Sequence, residues 1–356
     1  MSKTKLCVLF GGRSSEYEVS LSSAYSVLTN IDKNILDSVP VGITKGGKWY
    51  LFEGDLDKIK NGTWCENEEK LSRVVFDPAP GEANFIVLRP DGEIERIKAD
   101  VVFPVLHGAN GEDGTIQGML ELAEVPFVGA DHTSSGVCMD KAFTKIIAEK
   151  CGVRQARAVI LTKFDAEAER AAAKEEIKTL GYPVFVKPSR AGSSVGVSKV
   201  KSETELDAAI EKAFGEDSKI LVEEFIKGRE IEVAVMESGG KYSASVPGEI
   251  DPGCEFYDYD TKYISDVASY YIPARLSVEE TEKVRDTAVK IFKALDCRGL
   301  SRVDFFATDE GDIVFNEINT IPGFTPISMY PKLFMEGGMT YSDVISALVN
   351  SALQKS

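Results

Sequence analysis

Positive charge is scarce in this chain of 356 residues. Lys and Arg number 41 against 57 Asp and Glu, a formal net charge of −16. So acidic a surface repels nucleic acid and anionic membranes, and neither is expected as a partner. Histidine is nearly absent as well: there are only His107 and His132. Neither has a motif partner, which argues against zinc. The six cysteines (Cys7, Cys65, Cys138, Cys151, Cys254 and Cys297) show no CxxC spacing. They read as reduced thiols of a cytoplasmic protein rather than as metal ligands or disulfides. No apolar run approaches the roughly 18–20 residues of a membrane span. Met1 to Lys5 lead straight into a strand-like run, without a signal-peptide pattern. The G-x-G-x-x-G fingerprint is missing too, which counts against a dinucleotide oxidoreductase.

What is present is an α/β pattern long enough for two or three domains. Leu6–Phe10 is a short apolar run ending in Gly11-Gly12, with helical spacing from about Val19 to Leu28. Val101–Leu106 and Val125–Val128 read as buried strands. A helix is expected over Lys141–Glu149 and an exposed one over Asp165–Thr179. Strands at Tyr182–Lys187 and Val197–Val200 flank a glycine-rich loop and predict a hairpin. Leu206, Ile210, Ala213 and Phe214 have helical spacing, and strands follow at Ile220–Phe225 and Glu230–Met236. Glu255–Tyr271 has no period and reads as a long functional loop. Val284 to Leu295 marks an amphipathic helix. Val303–Ala307 and Ile313–Asn319 are expected to pair across Asp309-Glu310-Gly311, and Val344–Ala352 is a closing helix.

Three groups of residues carry chemistry. Lys187 ends a buried strand, where an ammonium is costly unless an anion pairs with it. Ser193-Ser194 lie between Gly192 and Gly196, a composition that exposes several backbone N–H groups to a phosphate. Glu223, Glu224 and Glu230 flank what reads as a strand pair. There they are either solvated strand-end charges or acceptors for ribose hydroxyls and an adenine amino group. Asp304, Glu317 and Asn319 form the strongest group. Glu317 and Asn319 are two apart, so on a strand they share a face, and pairing with the strand of Asp304 gathers three hard oxygen ligands suited to Mg²⁺. Arg302 and the Gly323 N–H are candidates for stabilising an oxyanion. Glu16 follows the first glycine turn near a helix N-terminus.

Taken in order, these segments resemble the D-alanine–D-alanine ligase family of the ATP-grasp superfamily, from about Lys5 to Ala352. The resemblance rests on Phe10 to Ser20, on Leu106-His107-Gly108 with Gly111 to Gly114, and on Met139-Asp140-Lys141. It continues through Val186 to Gly196, Phe256 to Tyr259 with Lys262-Tyr263, Ser301 to Asp304 and Asn316 to Thr325. It implies a mixed α/β, three-domain ATP-grasp fold. Residues 1–138 would form a Rossmann-like N-terminal substrate domain, 139–226 a central ATP-grasp subdomain and 227–356 a C-terminal catalytic domain.

The resemblance also implies roles. ATP phosphates would be held by Lys141, Lys187, Ser194 and Lys262, and the adenine amino group and ribose by Glu223 and Glu230. Two Mg²⁺ ions, replaceable by Mn²⁺, would sit on Asp304, Glu317 and Asn319. Glu16 would take the ammonium of the first D-alanine, with His107 near its carboxylate. Glu16, Ser193 and Tyr263 would form a hydrogen-bonded set, and Arg302 and Gly323 would face the tetrahedral intermediate. Ser328 and Met329 would lie near the carboxylate of the second substrate. A cytoplasmic homodimer is implied. Ala191 stands where many members carry Glu. A D-alanine–D-serine ligase of the vancomycin-resistance type is the nearest alternative, and the apolar Met329 favours a methyl side chain over a hydroxyl. A non-catalytic ATP-binding sensor is disfavoured, because all of Arg302, Asp304, Glu317 and Asn319 are present.

Overall fold

The computed structural model describes residues 3–251, 253 and 269–354. Three sheets organise the chain. The first contains β1 (Thr4–Gly11), β2 (Leu36–Ile43), β3 (Trp49–Leu51), β4 (Ser72–Phe76), β5 (Phe85–Leu88), β6 (Ile94–Ile97) and β7 (Val101–Val105), in the order β6-β5-β4-β3-β2-β1-β7. Only β2, β1 and β7 run parallel. The residues of β1 from Leu6 to Phe10 are fully buried, as expected of a parallel strand covered on both faces. Helix α1 (Tyr17–Asn30) follows β1, with α2 (Asp57–Lys60), α3 (Thr115–Leu122) and α4 (His132–Met139) later in this region.

Helix α5 (Lys141–Lys150) begins at Asp140, whose carboxylate accepts from the Ala142 N–H at 3.2 Å. The second sheet contains β8 (Ala158–Thr162), β9 (Val184–Pro188), β10 (Ser198–Val200) and β11 (Lys219–Glu224), all antiparallel, in the order β10-β9-β11-β8. Helices α6 (Glu167–Leu180) and α7 (Glu203–Glu216) pack on it through Ile177, Leu206, Ile210 and Phe214.

The third sheet contains β12 (Arg229–Ser238), β13 (Lys241–Ala244), β14 (Gly248–Asp251), β15 (Ser269–Tyr271), β16 (Leu300–Ala307) and β17 (Ile313–Asn319), ordered β15-β14-β12-β16-β17, with β13 also on β12. Helix α8 (Val278–Ala294) starts in a capping box between Ser277 and Glu280 and buries Val284, Ala288, Ile291 and Phe292. Helices α9 (Met329–Glu336) and α10 (Tyr341–Gln354) join the third sheet to the first. Tyr330, Leu333, Val344 and Leu348 share one core with Leu6 and Phe103, and the Phe103 and Phe324 rings meet edge to face at 5.4 Å.

Several sequence expectations need correction. Val125–Val128 is not a strand; it makes a single bridge, Val102 to Phe127, because the chain turns into α4 directly afterwards. Strands β11 and β12 do not pair with each other: they belong to different sheets, so Glu223 and Glu230 approach one cavity from two sides. The end of the expected 255–271 loop is strand β15, paired with β14; the rest of that segment lies outside the described residues. Ala148 and Val153 sit in the core of Ile231, Val233 and Phe292, so the chain at α5 packs on the third sheet rather than the second. Among the described residues, no helix is long and apolar enough to cross a membrane.

Candidate active site

Two cavities adjoin where the sheets meet, and both are lined by Lys141, Gly192, Ser193, Ile250 and Glu317. The outer cavity, about 410 Å³, has apolar walls from Phe185, Phe225 and Phe306 and charged walls from Lys187, Glu223 and Glu230. The inner cavity, about 160 Å³, is bounded by Glu16, His107, Arg302, Asn319, Gly323 and Met329.

At the outer cavity, Lys187 on β9 lies 2.6 Å from Glu223 Oε2, on the adjacent strand β11. Lys145 on α5 reaches Glu223 Oε1 at 2.8 Å and donates to the Ala156 carbonyl at 3.1 Å. Two buried ammoniums therefore share one carboxylate. Burial pushes the Glu223 carboxyl up, but Lys187 and Lys145 together outweigh it and hold the group below its ordinary value. Burial pushes Lys187 down, helped by the neighbouring Lys145 and Lys141, and Glu223 and Glu317 only partly oppose it. The cluster carries surplus positive charge, which suits a bound anion. Glu224, the next residue on β11, is held by Arg157 Nε at 2.7 Å and by the Arg157 backbone N–H at 2.9 Å, a structural tie between strand ends.

At the inner cavity the charge balance reverses. Strands β16 and β17 pair with Asp304 opposite Glu317 and Arg302 opposite Asn319, and the register shifts just after Asp304. The two rungs flank the Val303–Ile318 rung, so the four side chains share one face of the sheet. Arg302 grips Asp304 with two bonds, Nε to Oδ1 at 2.8 Å and Nη2 to Oδ2 at 2.7 Å. Glu232, opposite Asp304 on β12, lies 3.2 Å from Arg302 Nε. Burial alone would lower the Arg302 pKa, but Asp304 and Glu232 raise it further above its ordinary value. Asn319 Nδ2 donates to Asp304 at 3.0 Å, and Lys141 lies 3.2 Å from Glu317. Among the described residues no three His, Cys, Asp or Glu side chains gather as a metal cluster. The donor set is two carboxylates and an amide, all hard oxygen donors, so a Mg²⁺ ion here would rely on substrate phosphate oxygens to complete its shell.

Glu16 stands at the start of α1, and Ser193 Oγ donates to its Oε1 at 2.5 Å. Ser193 and Ser194 have φ of 49° and 59°, the left-handed conformation that turns the loop back over the cavity. Gly108 makes room for this pair: a Cβ there would lie 2.5 Å from Glu16 Oε2. Lys141 donates to the Ala191 carbonyl at 2.9 Å, tying α5 to the same loop. Gly323 lies close to Ser328: a Cβ there would be 2.6 Å from Ser328 Oγ, which would have to rotate away. That oxygen accepts from the Thr325 N–H at 3.0 Å. Met329 lines the inner cavity but is only 4% exposed, packed under Gly248.

The expected site residues thus line the two cavities, with three exceptions: Asp304 is buried behind Arg302 and lines neither, and Lys262 and Tyr263 lie outside the described residues. His107 lines the inner cavity, but both its ring nitrogens have protein partners, Ser23 Oγ at 3.0 Å and the Ile321 carbonyl at 3.1 Å. Three further residues belong to the site although motif reading passes over them, and each carries a spacing signal. Lys145 is one turn from Lys141 on α5, Glu232 is two from Glu230 on β12, and Ser23 belongs to the buried polar face of α1 with Ser20.

The chain is similar to known proteins along its whole length. The family description "D-ala D-ala ligase N-terminus" matches residues 5–130, and "D-ala D-ala ligase C-terminus" matches residues 147–350. A D-alanine–D-alanine ligase of Acetivibrio thermocellus is 48% identical, over 99% of this chain and 96% of that protein. One from Thermoanaerobacter is also 48% identical, over 99% and 98%. Among solved structures, the VanG D-Ala:D-Ser ligase from Enterococcus faecalis has a TM-score of 0.90 at 43% identity, covering 99% of this chain and all of that one. The D-alanine-D-alanine ligase from Coxiella burnetii has a TM-score of 0.86 at 34% identity, covering 100% and 95%. Similarity that spans both halves of the chain and its full three-sheet fold places this protein in the D-alanine–D-alanine ligase family.

Proposed function

We propose that the protein joins two D-alanines into D-alanyl-D-alanine for peptidoglycan precursors in the cytoplasm, converting ATP to ADP and phosphate. The observation that carries this reading is the junction of the two cavities at Lys141, Ser193 and Glu317. A nucleotide in the outer cavity would direct its terminal phosphate toward amino acids held in the inner one.

A carboxylate is a poor acyl donor and must first be activated. The carboxylate of the first D-alanine, whose ammonium rests on Glu16, attacks the γ-phosphorus; the bond to the β,γ-bridging oxygen breaks, ADP is released and an acyl phosphate forms. Lys141 and Lys187, with Ser194 and Lys262, offset the phosphate charge, while Glu223 and Glu230 hold the adenine amino group and ribose. Mg²⁺ ions, or Mn²⁺ in their place, held by Asp304, Glu317 and Asn319 would add electrostatic stabilisation of the transferring phosphoryl group. The neutral amine of the second D-alanine, bound beside Ser328 and Met329, then attacks the acyl carbon. Glu16, Ser193 and Tyr263 orient it and assist proton removal. The oxyanion faces Arg302 and the Gly323 N–H, phosphate leaves, and the dipeptide remains. A homodimer is the proposed assembly.

D-Serine as second substrate is the other reading, favoured by the likeness to the VanG D-Ala:D-Ser ligase. The buried thioether of Met329 at that end of the inner cavity supports D-alanine instead. Phosphate release with ATP and Mg²⁺, with D-alanine alone and then with D-serine added, decides between them once products are identified by mass. D-Alanyl-D-alanine as main product supports the proposal. A mixed dipeptide transfers the function to the second reading, and no turnover overturns both.

A further inference from the structure

The buried polar face of α1 does more than cap a cavity. Ser23 is fully buried and His107 is 4% exposed. Ser23 Oγ accepts from the Phe324 backbone N–H at 3.1 Å and lies 3.0 Å from His107 Nε2. His107 Nδ1 lies 3.1 Å from the Ile321 carbonyl. One tautomer satisfies every contact: Nδ1–H donates to Ile321, Nε2 accepts the Ser23 hydroxyl proton, and Ser23 accepts from Phe324. The chain of bonds leaves the loop at Ile321, crosses an imidazole and a hydroxyl from the first sheet's side, and returns to the loop at Phe324. Gly323, whose N–H faces the inner cavity in the reading above, lies between the two anchored residues.

Phe324 is also held by its buried ring and by the Tyr341 hydroxyl, which donates to its carbonyl, but the peptides on either side of Gly323 have fewer ties. Gly323 has no side chain, and Pro322 has no N–H to tie it down. The same helix carries Glu16 at its start, seven residues before Ser23. One rigid element therefore sets both the ammonium site and the oxyanion site.

We propose that Ser23 is a positioning residue for the second chemical step: through His107 it holds the Gly323 N–H where the oxyanion forms on attack of the amine. The proposal rests on the ligase reading and deepens it. Ser23 touches no substrate. Its loss leaves the Phe324 N–H and His107 Nε2 without their partner, so the Gly323 N–H shifts while the nucleotide cavity is untouched. Removing one oxyanion donor costs about 10²–10³ in rate, and a misplaced donor costs about ten- to a hundredfold.

The test separates the two steps in the full-length protein. Reversible acyl-phosphate formation scrambles oxygen label in the β,γ-bridge of ¹⁸O-labelled ATP, and dipeptide formation reports the complete reaction. In Ser23→Ala the ratio of exchange to dipeptide is expected to rise about tenfold or more, with the KM for ATP within about twofold of wild type. His107→Ala, which breaks the same chain at its other link, is expected to shift the ratio in the same direction. An unchanged ratio in both variants, whether activity is retained or both steps fall together, overturns the proposal. Failure of the ligase reading looks different, because the wild-type protein would then give neither exchange nor dipeptide.

Discussion

The two ends of the catalytic cleft hold buried charge in opposite proportions. At the outer cavity, Lys145 and Lys187 share Glu223. At the inner cavity, Asp304 and Glu232 flank the single Arg302, with Glu317 beyond and Lys141 reaching across to it. The first cluster has a cation too many and the second an anion too many. On the proposed function, each imbalance would be offset by what binds there: phosphates at the lysines and divalent cations at the carboxylates. A strongly acidic protein can thus still bind ATP, because it concentrates uncompensated positive charge at one buried point.

Substitutions that shift either balance test this contrast. The largest expected effect is at the outer cluster. Lys187→Ala leaves a neutral Lys145–Glu223 pair, so the fold should persist by circular dichroism while turnover falls about 10³-fold or more. At the inner cluster, Arg302→Ala should reduce kcat by about 10²–10³ in steady-state assays. Arg302→Lys should recover little of it, since one ammonium cannot reproduce the two-bond grip on Asp304.

The largest stability effect is also expected at the outer cluster. Glu223→Gln leaves two buried ammoniums without their carboxylate and is expected to cost about 3–5 kcal/mol in denaturant unfolding. The pH dependence follows from the same residue. The folded Glu223 carboxyl lies below its ordinary value of 4.5. Its contribution is therefore fully present above pH 4.5 and is lost as pH falls through the lowered folded value. Glu223→Gln should flatten this part of the acid limb of the thermal stability profile. The smallest effect belongs to the strand-end pair: Arg157, its side chain 59% exposed against Glu224, should cost under about 1 kcal/mol as Arg157→Ala and leave turnover unchanged. A large activity loss there would show that the cavity's charge balance extends further than these two clusters.

Much of this architecture is legible in the amino-acid sequence. The period-two spacing of Glu317 and Asn319 and the apolar run around Asp304 specify the paired β16 and β17, because strand alternation and a three-residue turn leave few other arrangements. The hairpin of β9 and β10 around the Gly192–Gly196 loop is legible for the same reason. The β11–β12 boundary is not: two adjacent strands with a short connection look like a hairpin, and nothing local states that they enter different sheets. Lys145 and Glu232 are within reach of spacing arguments, but a charge on an element's face looks the same whether that face meets water or a buried partner.

The sequence alone determined the family, the opening strand and helix, the β9–β10 and β16–β17 hairpins and many of the residues that line the cavities, because periodicity, glycine placement and motif order are local properties of the chain. Tertiary structure decided which charges share partners. Glu223 is claimed by two lysines, one on β9 and one on α5; Ser193 meets Glu16 across the cleft; and Ser23 and His107 brace a loop more than 200 residues away. Those pairings depend on how three sheets pack against one another, and only burial turns such contacts from solvated charges into a site.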